Sequence, residues 1–339
     1  MNTPRISVIL PAYNAEDTLS EAIRSILHQT EREIELVVIN DGSTDASPDI
    51  IEQWRSRDKR IVALDQPHRG IVAALNHGLQ HACGQYIARM DTDDRSLPER
   101  LCRQADFLDA HPSIGLAACL VSYKGTNSKH RGYARYVTWT NTLTTHQQIQ
   151  QNRFIESPLA HPSVCFRRKL IEKHGVYRCG PFPEDYELWL RWLSRGVTMA
   201  KVPEYLLEWR DRPDRLSRTH QRYSMDAFYR IKAQYLAPWL EEHNPHHPEL
   251  MIWGAGKTSR KRAEYLVRRG IHITHYIDVD PNKIGNVIQG RPVIGHTDLP
   301  SPESAFIVSY VGLRGVNQQI RNHLQQHGYR WGSSFIFAA

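Results

Sequence analysis

The chain has 339 residues, 40% of them hydrophobic and 23% charged, with a formal net charge of +7. At roughly 100–200 residues per domain this predicts two or three domains, and the apolar share excludes a wholly disordered chain. No apolar run reaches the ~18–20 residues of a membrane span. The first residues enter a strand-like run without the basic, long apolar and small-residue regions of a signal peptide, which points to the cytoplasm. The five cysteines (Cys83, Cys102, Cys119, Cys165, Cys179) are odd in number and form no CxxC pair, so reduced, mostly buried thiols are expected. The positive charge suits a phosphate-rich partner, whether nucleic acid, sugar nucleotide or anionic membrane, without choosing among them.

In chain order, residues 6–10 are an unbroken apolar run and predict a buried strand, and Leu19, Ala22, Ile23, Ile26 and Leu27 then recur at helical spacing. Residues 34–40 predict a second strand, which Asp41-Gly42-Ser43 breaks. Ile50, Ile51 and Trp54 mark a second helix, residues 61–64 a third strand, Ile71, Leu75 and Leu79 a third helix, and residues 86–90 a fourth strand. Pro98 suits the first turn of a helix running to Leu108. This alternation predicts an α/β fold, a mostly parallel sheet with helices on both faces and ligands outside the carboxyl ends of its strands. Residues 124–145 read as a long polar loop, 185–194 as a helix and 224–240 as a longer one. The polar, proline-interrupted stretch 241–248 predicts a linker, after which a new β-α-β rhythm starts. The expected domains are residues 1–245 and 246–339.

The carboxylates fall at strand ends. Asp41 follows the second strand, and Asp91, Asp93 and Asp94 follow the fourth. A parallel sheet puts both sets on one edge. Carboxylates this close raise one another's pKa unless a cation neutralises them, and Mg2+ or Mn2+, sharing substrate phosphates and water, fits such oxygen donors. A solvated acidic turn capping the next helix is the plain alternative. Pro11-Ala12-Tyr13-Asn14 follow the first strand at the same edge, where backbone N–H groups and a tyrosine face suit a base and ribose. A simple turn with Asn14 near a helix N-cap explains them equally.

Residues 6–14, 37–45 and 88–94, with the later Pro98-Glu99-Arg100-Leu101, Ala160-His161-Pro162-Ser163 and Pro183-Glu184-Asp185-Tyr186, resemble in order and spacing the family-two glycosyltransferases of the GT-A fold, over about residues 4–220. The resemblance implies an inverting transferase that uses a nucleotide-diphosphate sugar, a UDP-sugar by family habit, with Mn2+ or Mg2+ as cofactor. It places Pro11, Ala12, Tyr13 and Asn14 along the nucleotide and Asp41 on the base. Asp91, with Thr92 beside it, falls near the ribose and donor sugar, and Asp93 on the metal. Asp185 falls as general base, with Glu184 beside it in the substrate site. His161 is expected either as a donor-site residue or as a buried, hydrogen-bonded histidine. Arg210, with Arg212 and Arg215, is expected either to clamp the diphosphate or to belong to a charged loop. The family often has Arg before the Asn of its third helix. Here Leu75 precedes Asn76, so Arg69 is expected to supply that contact. The QxxRW motif of processive synthases is absent after Asp185, which favours single additions to a hydroxyl of a glycan or lipid-linked acceptor in surface polysaccharide or lipopolysaccharide synthesis. Peripheral contact with the inner face of the membrane fits that role, and no nucleic-acid motif is present. Two rivals are a nucleotidyltransferase, against which Pro11–Asn14 is neither glycine-rich nor basic, and a non-catalytic sugar-nucleotide sensor or scaffold.

In the second domain, Gly254-Ala255-Gly256 follows a strand and opens a helix, and Asp278 ends the next strand at the separation expected of a ribose-binding acid. The segment resembles the small Rossmann-like domains that precede sugar-nucleotide acyltransferase repeats, although no such repeats follow. A second nucleotide site at Gly254, Gly256 and Asp278, or a glycine turn packing helix on sheet in a docking domain, both fit.

Overall fold

A computed structural model describes residues 3–125, 131–212, 215–313 and 315–339. The chain forms two compact units, one of residues 1–149 with 158–220, the other of residues 150–157 with 221–339.

The first unit runs β1 (Ile6–Ala12), α1 (Leu19–Leu27), β2 (Ile34–Asn40), α2 (Ser47–Arg57), β3 (Ile61–Asp65), α3 (Ile71–His81), β4 (Tyr86–Arg89), β5 (Arg95–Ser96), α4 (Arg100–Ala110), β6 (Leu116–Lys124), α5 (Arg131–Asn141), α6 (His146–Asn152), β7 (Cys165–Arg167), α7 (Lys169–His174), α8 (Glu184–Ser194), β8 (Met199–Arg210) and α9 (Leu216–Thr219). Its sheet has the order β3-β2-β1-β4-β7-β6-β8-β5. β1 to β4 are parallel, β6 pairs parallel with β8, and β7 and β5 pair antiparallel with their neighbours.

The central strands are apolar on both faces because helices cover both. Val8, Leu10, Leu36 and Val38 point to the side of α1 and α4, while Ile9, Val37 and Ile39 point to α3 and α8. Strand order reverses between β1 and β4, and a crevice outside their carboxyl ends is where such sheets bind ligands. Pairing of β1 with β4 ends at Ile9, so the missing N–H of Pro11 breaks no bond to β4.

Three sequence expectations change. Pro11 and Ala12 are buried residues of β1 paired with Ile39 and Asn40, so the turn begins only at Tyr13. Much of the loop expected over 124–145 is α5, whose Tyr133 and Tyr136 pack on Trp209; residues 126–130 lie outside the described part. Of the five free thiols, Cys119 and Cys165 are buried, but Cys83 and Cys179 are exposed.

α8 is anchored by charge inside the core. Glu187 and Arg191, one turn apart and 1% and 2% exposed, form an ion pair at 3.0 Å. Arg191 also donates to the carbonyl oxygens of Gly175 (3.1 Å) and Val176 (2.7 Å), fixing the loop that leads to Tyr177. Arg191→Ala removes the buried, closer partner of the Glu187 carboxylate, leaving the half-exposed Arg178 at 3.5 Å, and is expected to lower unfolding free energy by about 3 kcal/mol, read as a fall in urea midpoint at unchanged slope.

The second unit holds α10 (Met225–His243), β9 (Glu249–Trp253), α11 (Lys257–Val267), β10 (His272–Asp278), β11 (Val287–Ile288), β12 (Arg291–Gly295), β13 (Ile307–Ser309), α12 (Val316–Gln326) and β14 (Phe335–Phe337). The sheet order is β11-β12-β10-β9-β13-β14, parallel except for the β11–β12 hairpin. α10 belongs to this unit, so the compact units divide near residue 220, ahead of the boundary expected at 245. Its Lys232 is buried and donates to the carbonyl oxygens of Ile155 (3.0 Å) and Ala338 (2.8 Å).

Candidate functional site

The β1/β4 crevice gathers most of the expected residues. Tyr13 leaves β1 with its ring 47% exposed and stacked on His68, centroids 3.9 Å apart. Asn14 adopts a left-handed backbone (φ 47°), and its side-chain oxygen accepts from the Thr44 N–H at 2.8 Å, tying the two strand-end turns together.

Asp41 is buried at the end of β2 and organises the loop after β3. Its carboxylate accepts from Gln66 Nε2 (2.6 Å), the Arg69 N–H (2.9 Å) and the Gly70 N–H (2.9 Å), and faces His68 Nδ1 at 2.9 Å. These four partners fill a carboxylate's acceptor positions. The loop approaches so closely that a Cβ at Gly42, itself at φ +70°, would lie 2.6 Å from the backbone nitrogen of His68. Arg69 enters this loop through its backbone, its side chain exposed.

At the end of β4, Asp91, Asp93 and Asp94 bring carboxylate oxygens within 4.8 Å of one another, and Thr92 lies among them, partly buried. Asp91 is paired with the buried Arg89. Burial, with Asp91 adding repulsion, raises the Asp93 pKa, and burial followed by the Asp93 charge raises that of Asp94 strongly. Asp94 accepts from the Arg210 N–H at 2.9 Å through one oxygen, while the other is buried without a hydrogen bond. Hard oxygen donors compressed in this way fit a small divalent cation. Arg215 supplies positive charge instead. Its guanidinium lies 3.6 Å from Asp93, 3.7 Å from Asp91 and 4.0 Å from Asp94, over the Trp209 ring at 4.2 Å.

Arg210 does not face the cluster with its guanidinium, which forms a two-point pair with Glu21, both bonds 2.5 Å. It lines, with Asp93, Thr18, Tyr123, Lys124 and Arg212, an open cleft of about 510 Å³.

Asp185 lies in the first turn of α8, after Pro183, where the helix dipole favours a carboxylate and its oxygen accepts from the Tyr186 N–H at 2.7 Å. Burial, with the neighbouring Glu184 charge adding to it, nonetheless pushes its pKa up to about 7. His161 is the buried, hydrogen-bonded histidine of the two expected kinds. It bonds the Tyr177 hydroxyl at 2.7 Å, and burial, then Arg89, lowers its pKa well below the usual imidazole value, keeping it neutral. Burial raises the pKa of the Tyr177 hydroxyl, with the Arg89 charge opposing and the Asp185, Glu184 and Asp91 charges adding to it. Tyr177 and Asn76 escaped the sequence reading as site residues. Asn76 clamps the Tyr177 backbone from both sides, donating to its carbonyl (2.9 Å) and accepting from its N–H (3.1 Å). A polar amide on the inner side of an otherwise apolar helix was the available signal.

In the second unit, Gly254 takes φ +113°, open only to glycine, and Asp278 accepts from the N–H groups of Ala255 (2.9 Å), Val279 (2.9 Å) and Asp280 (3.0 Å), with Lys283 Nζ at 3.3 Å. Gly256 is the N-cap of α11. A ribose hydroxyl would have to displace Lys283 from Asp278.

A mostly parallel sheet with its crevice at β1/β4, an acidic turn there and carboxylates opening a later helix define the class of the first unit as a GT-A-type glycosyltransferase fold. Residues 7–175 match the family model described as "Glycosyl transferase family 2". An uncharacterized glycosyltransferase of Haemophilus influenzae is 30% identical over 247 residues, 71% of this chain and 76% of that one, and the amylovoran biosynthesis glycosyltransferase AmsE of Erwinia amylovora is 29% identical over 62% of this chain and 78% of its own length. The chain belongs to glycosyl transferase family 2. In fold it is similar to Staphylococcus aureus TarS 1–349 in complex with UDP-GlcNAc (TM-score 0.52, 18% identity, 78% of this chain and 71% of that one). It is also similar to the mannosyltransferase PcManGT of Pyrobaculum calidifontis in complex with GDP-Man and Mn2+ (TM-score 0.50, 20% identity, 71% of this chain and 65% of that one).

Proposed function

We propose that the protein is an inverting, metal-dependent transferase that moves a sugar from a nucleotide diphosphate, a UDP-sugar first among them, to a hydroxyl of a glycan or lipid-linked acceptor in surface polysaccharide synthesis. AmsE, named for amylovoran biosynthesis, supports the polysaccharide setting. The observation that carries the reading is the compressed acidic turn at the β1/β4 edge, and the raised pKa of Asp185 at the start of α8 supports it.

The exposed Tyr13 ring offers a flat face to a base, and a base N–H reaches Asp41 by replacing the half-exposed His68 as its partner. Asn14 and the backbone of the Tyr13 turn follow the nucleotide, and Arg69 and Arg210 border the phosphates. Asp91, with Thr92, orients ribose and donor sugar, while Arg89 holds the Asp91 carboxylate in place. Mn2+ or Mg2+, held by Asp93 with its neighbours, would neutralise the charge of the leaving diphosphate when bound. Asp185 takes the proton of the acceptor hydroxyl as that oxygen attacks C1 from the face opposite the diphosphate. The bond from C1 to the diphosphate oxygen breaks, and its electron pair leaves with the nucleotide. One carboxylate suffices because the leaving group needs no proton, unlike glycoside hydrolysis with its two flanking carboxyls. His161 and Tyr177 remain neutral and bond each other. Gly254, Gly256 and Asp278 shape the turn of a docking module in this reading.

The test is donor turnover: with Mn2+, the protein is expected to release UDP slowly from a UDP-sugar in water and faster with acceptor. Lack of release from any nucleotide sugar, with binding intact, would favour the sensor reading. Arg215 and a divalent cation compete for the same oxygens. Arg215→Gln is therefore expected to tighten binding of Mn2+ alone about tenfold, since charges ~4 Å apart interact by kcal/mol even at an effective dielectric of about 20; electron paramagnetic resonance titration of free Mn2+ measures this without turnover.

A further inference from the structure

The basic charge of the chain is uneven. The second unit carries fifteen Lys and Arg against ten Asp and Glu, and residues 257–269 alone hold six of those cations against one acid, Glu264. The rest of the unit is therefore balanced. α11 sorts these side chains by face. Ser259, Ala263 and Leu266 are buried, and Arg262 turns inward, over the Tyr229 ring at 4.6 Å and donating to the Tyr310 carbonyl at 3.3 Å.

Lys257, Lys261 and Arg268 stand exposed along one stripe, with Arg260 beside it. Together with Gln289, from the turn between β11 and β12, they line an open groove of about 530 Å³. The acids facing it are few: Glu264 within it, and Asp226, 3.8 Å from Lys261 but held at 2.9 Å by Arg230. Val287, 69% exposed, stands in the same hairpin as Gln289.

Like charges at one-turn spacing, Lys257 and Lys261 here, weaken a helix, a cost that an anionic partner offsets. Among the described residues no helix is long and apolar enough to cross a membrane. We propose that the exposed stripe of α11 and its groove dock the protein onto an anionic phospholipid bilayer, the lipid phosphates lying between Lys257, Arg260, Lys261 and Arg268. Val287 meets the interface. The choice of a bilayer over free phosphate rests on the reading of the acceptor as lipid-linked.

Sedimentation of the full chain with vesicles tests this. It is expected to pellet with phosphatidylcholine vesicles containing phosphatidylglycerol, not with phosphatidylcholine alone, and to be released by salt. Each cation near an anionic surface strengthens binding about fivefold, so R260Q/K261Q/R268Q is expected to weaken it roughly a hundredfold while the thermal shift by UDP-sugar stays unchanged. Should that variant fail to fold, the exposed pair K257E/K261E carries the same expectation. Equal pelleting with neutral vesicles, or variants that bind like the wild type, would overturn the proposal. So would stabilisation by inorganic pyrophosphate that the variants lose while vesicle binding persists, since the groove would then be a small-anion site. Vesicle binding is read without turnover, so its failure leaves the transfer reading standing, and a chain that docks but releases no UDP fails that reading alone.

Discussion

Asp185→Asn is expected to lower sugar transfer by a factor of about 10²–10⁴, the usual contribution of a positioned general base, while leaving donor affinity near the wild-type value. The substitution keeps the size of the side chain and an oxygen to accept from the Tyr186 N–H, so the first turn of α8 stays formed. The wild-type pH profile gives a second, independent readout. Burial and Glu184 set the carboxyl near 7, against the weaker pull of the Tyr186 N–H and Arg89. The base works only when ionised, so kcat/KM should rise with pH through about 7 and level off above it. Because Glu184 raises the pKa, Glu184→Gln should move that rise to lower pH. A transfer rate for Asp185→Asn equal to wild type would remove Asp185 from the chemistry, and a pH profile flat between 6 and 8 would contradict the partly buried carboxyl as base.

Asp93→Ala is expected to abolish the Mn2+-dependent part of donor binding and to reduce turnover by about a thousandfold, since a cation on a departing diphosphate is worth several kcal/mol. Removing one member of a repelling trio also relieves Asp94, whose pKa the Asp93 charge raises. The variant should therefore be as stable as the wild type or more so without metal, and lose the extra stability that Mn2+ with nucleotide gives by mass action. Thermal unfolding with UDP, with and without Mn2+, separates the two effects. An undiminished Mn2+ shift in Asp93→Ala would move the cation elsewhere. Chelation of the wild type should reproduce the variant's loss of turnover.

The strands that build the crevice were readable because a parallel strand covered on both faces is a short unbroken apolar run. β1 and β2 declare themselves in this way, and Asp41 and Asp91 follow from where such runs stop. The other half of the sheet was not readable. β8 carries Lys201 in its buried stretch, tolerated because Thr140 accepts from the ammonium and burial pulls its pKa down to about 7. α5 looked like loop because its inward face is aromatic rather than aliphatic, Tyr133 and Tyr136 meeting Trp209 across the unit.

The sequence by itself determined β1 to β4, the turns that end them and the placing of acids at their carboxyl ends, because each of these follows from residues within one local segment. The tertiary structure alone decided what surrounds those acids. It gave Arg210 to Glu21, Arg215 to the acidic turn and Asn76 to Tyr177, residues 101 positions apart. It also set Asp185 near neutrality. Ion pairing and desolvation depend on what surrounds a group in space, and side chains distant in the chain supply those surroundings only after it has folded.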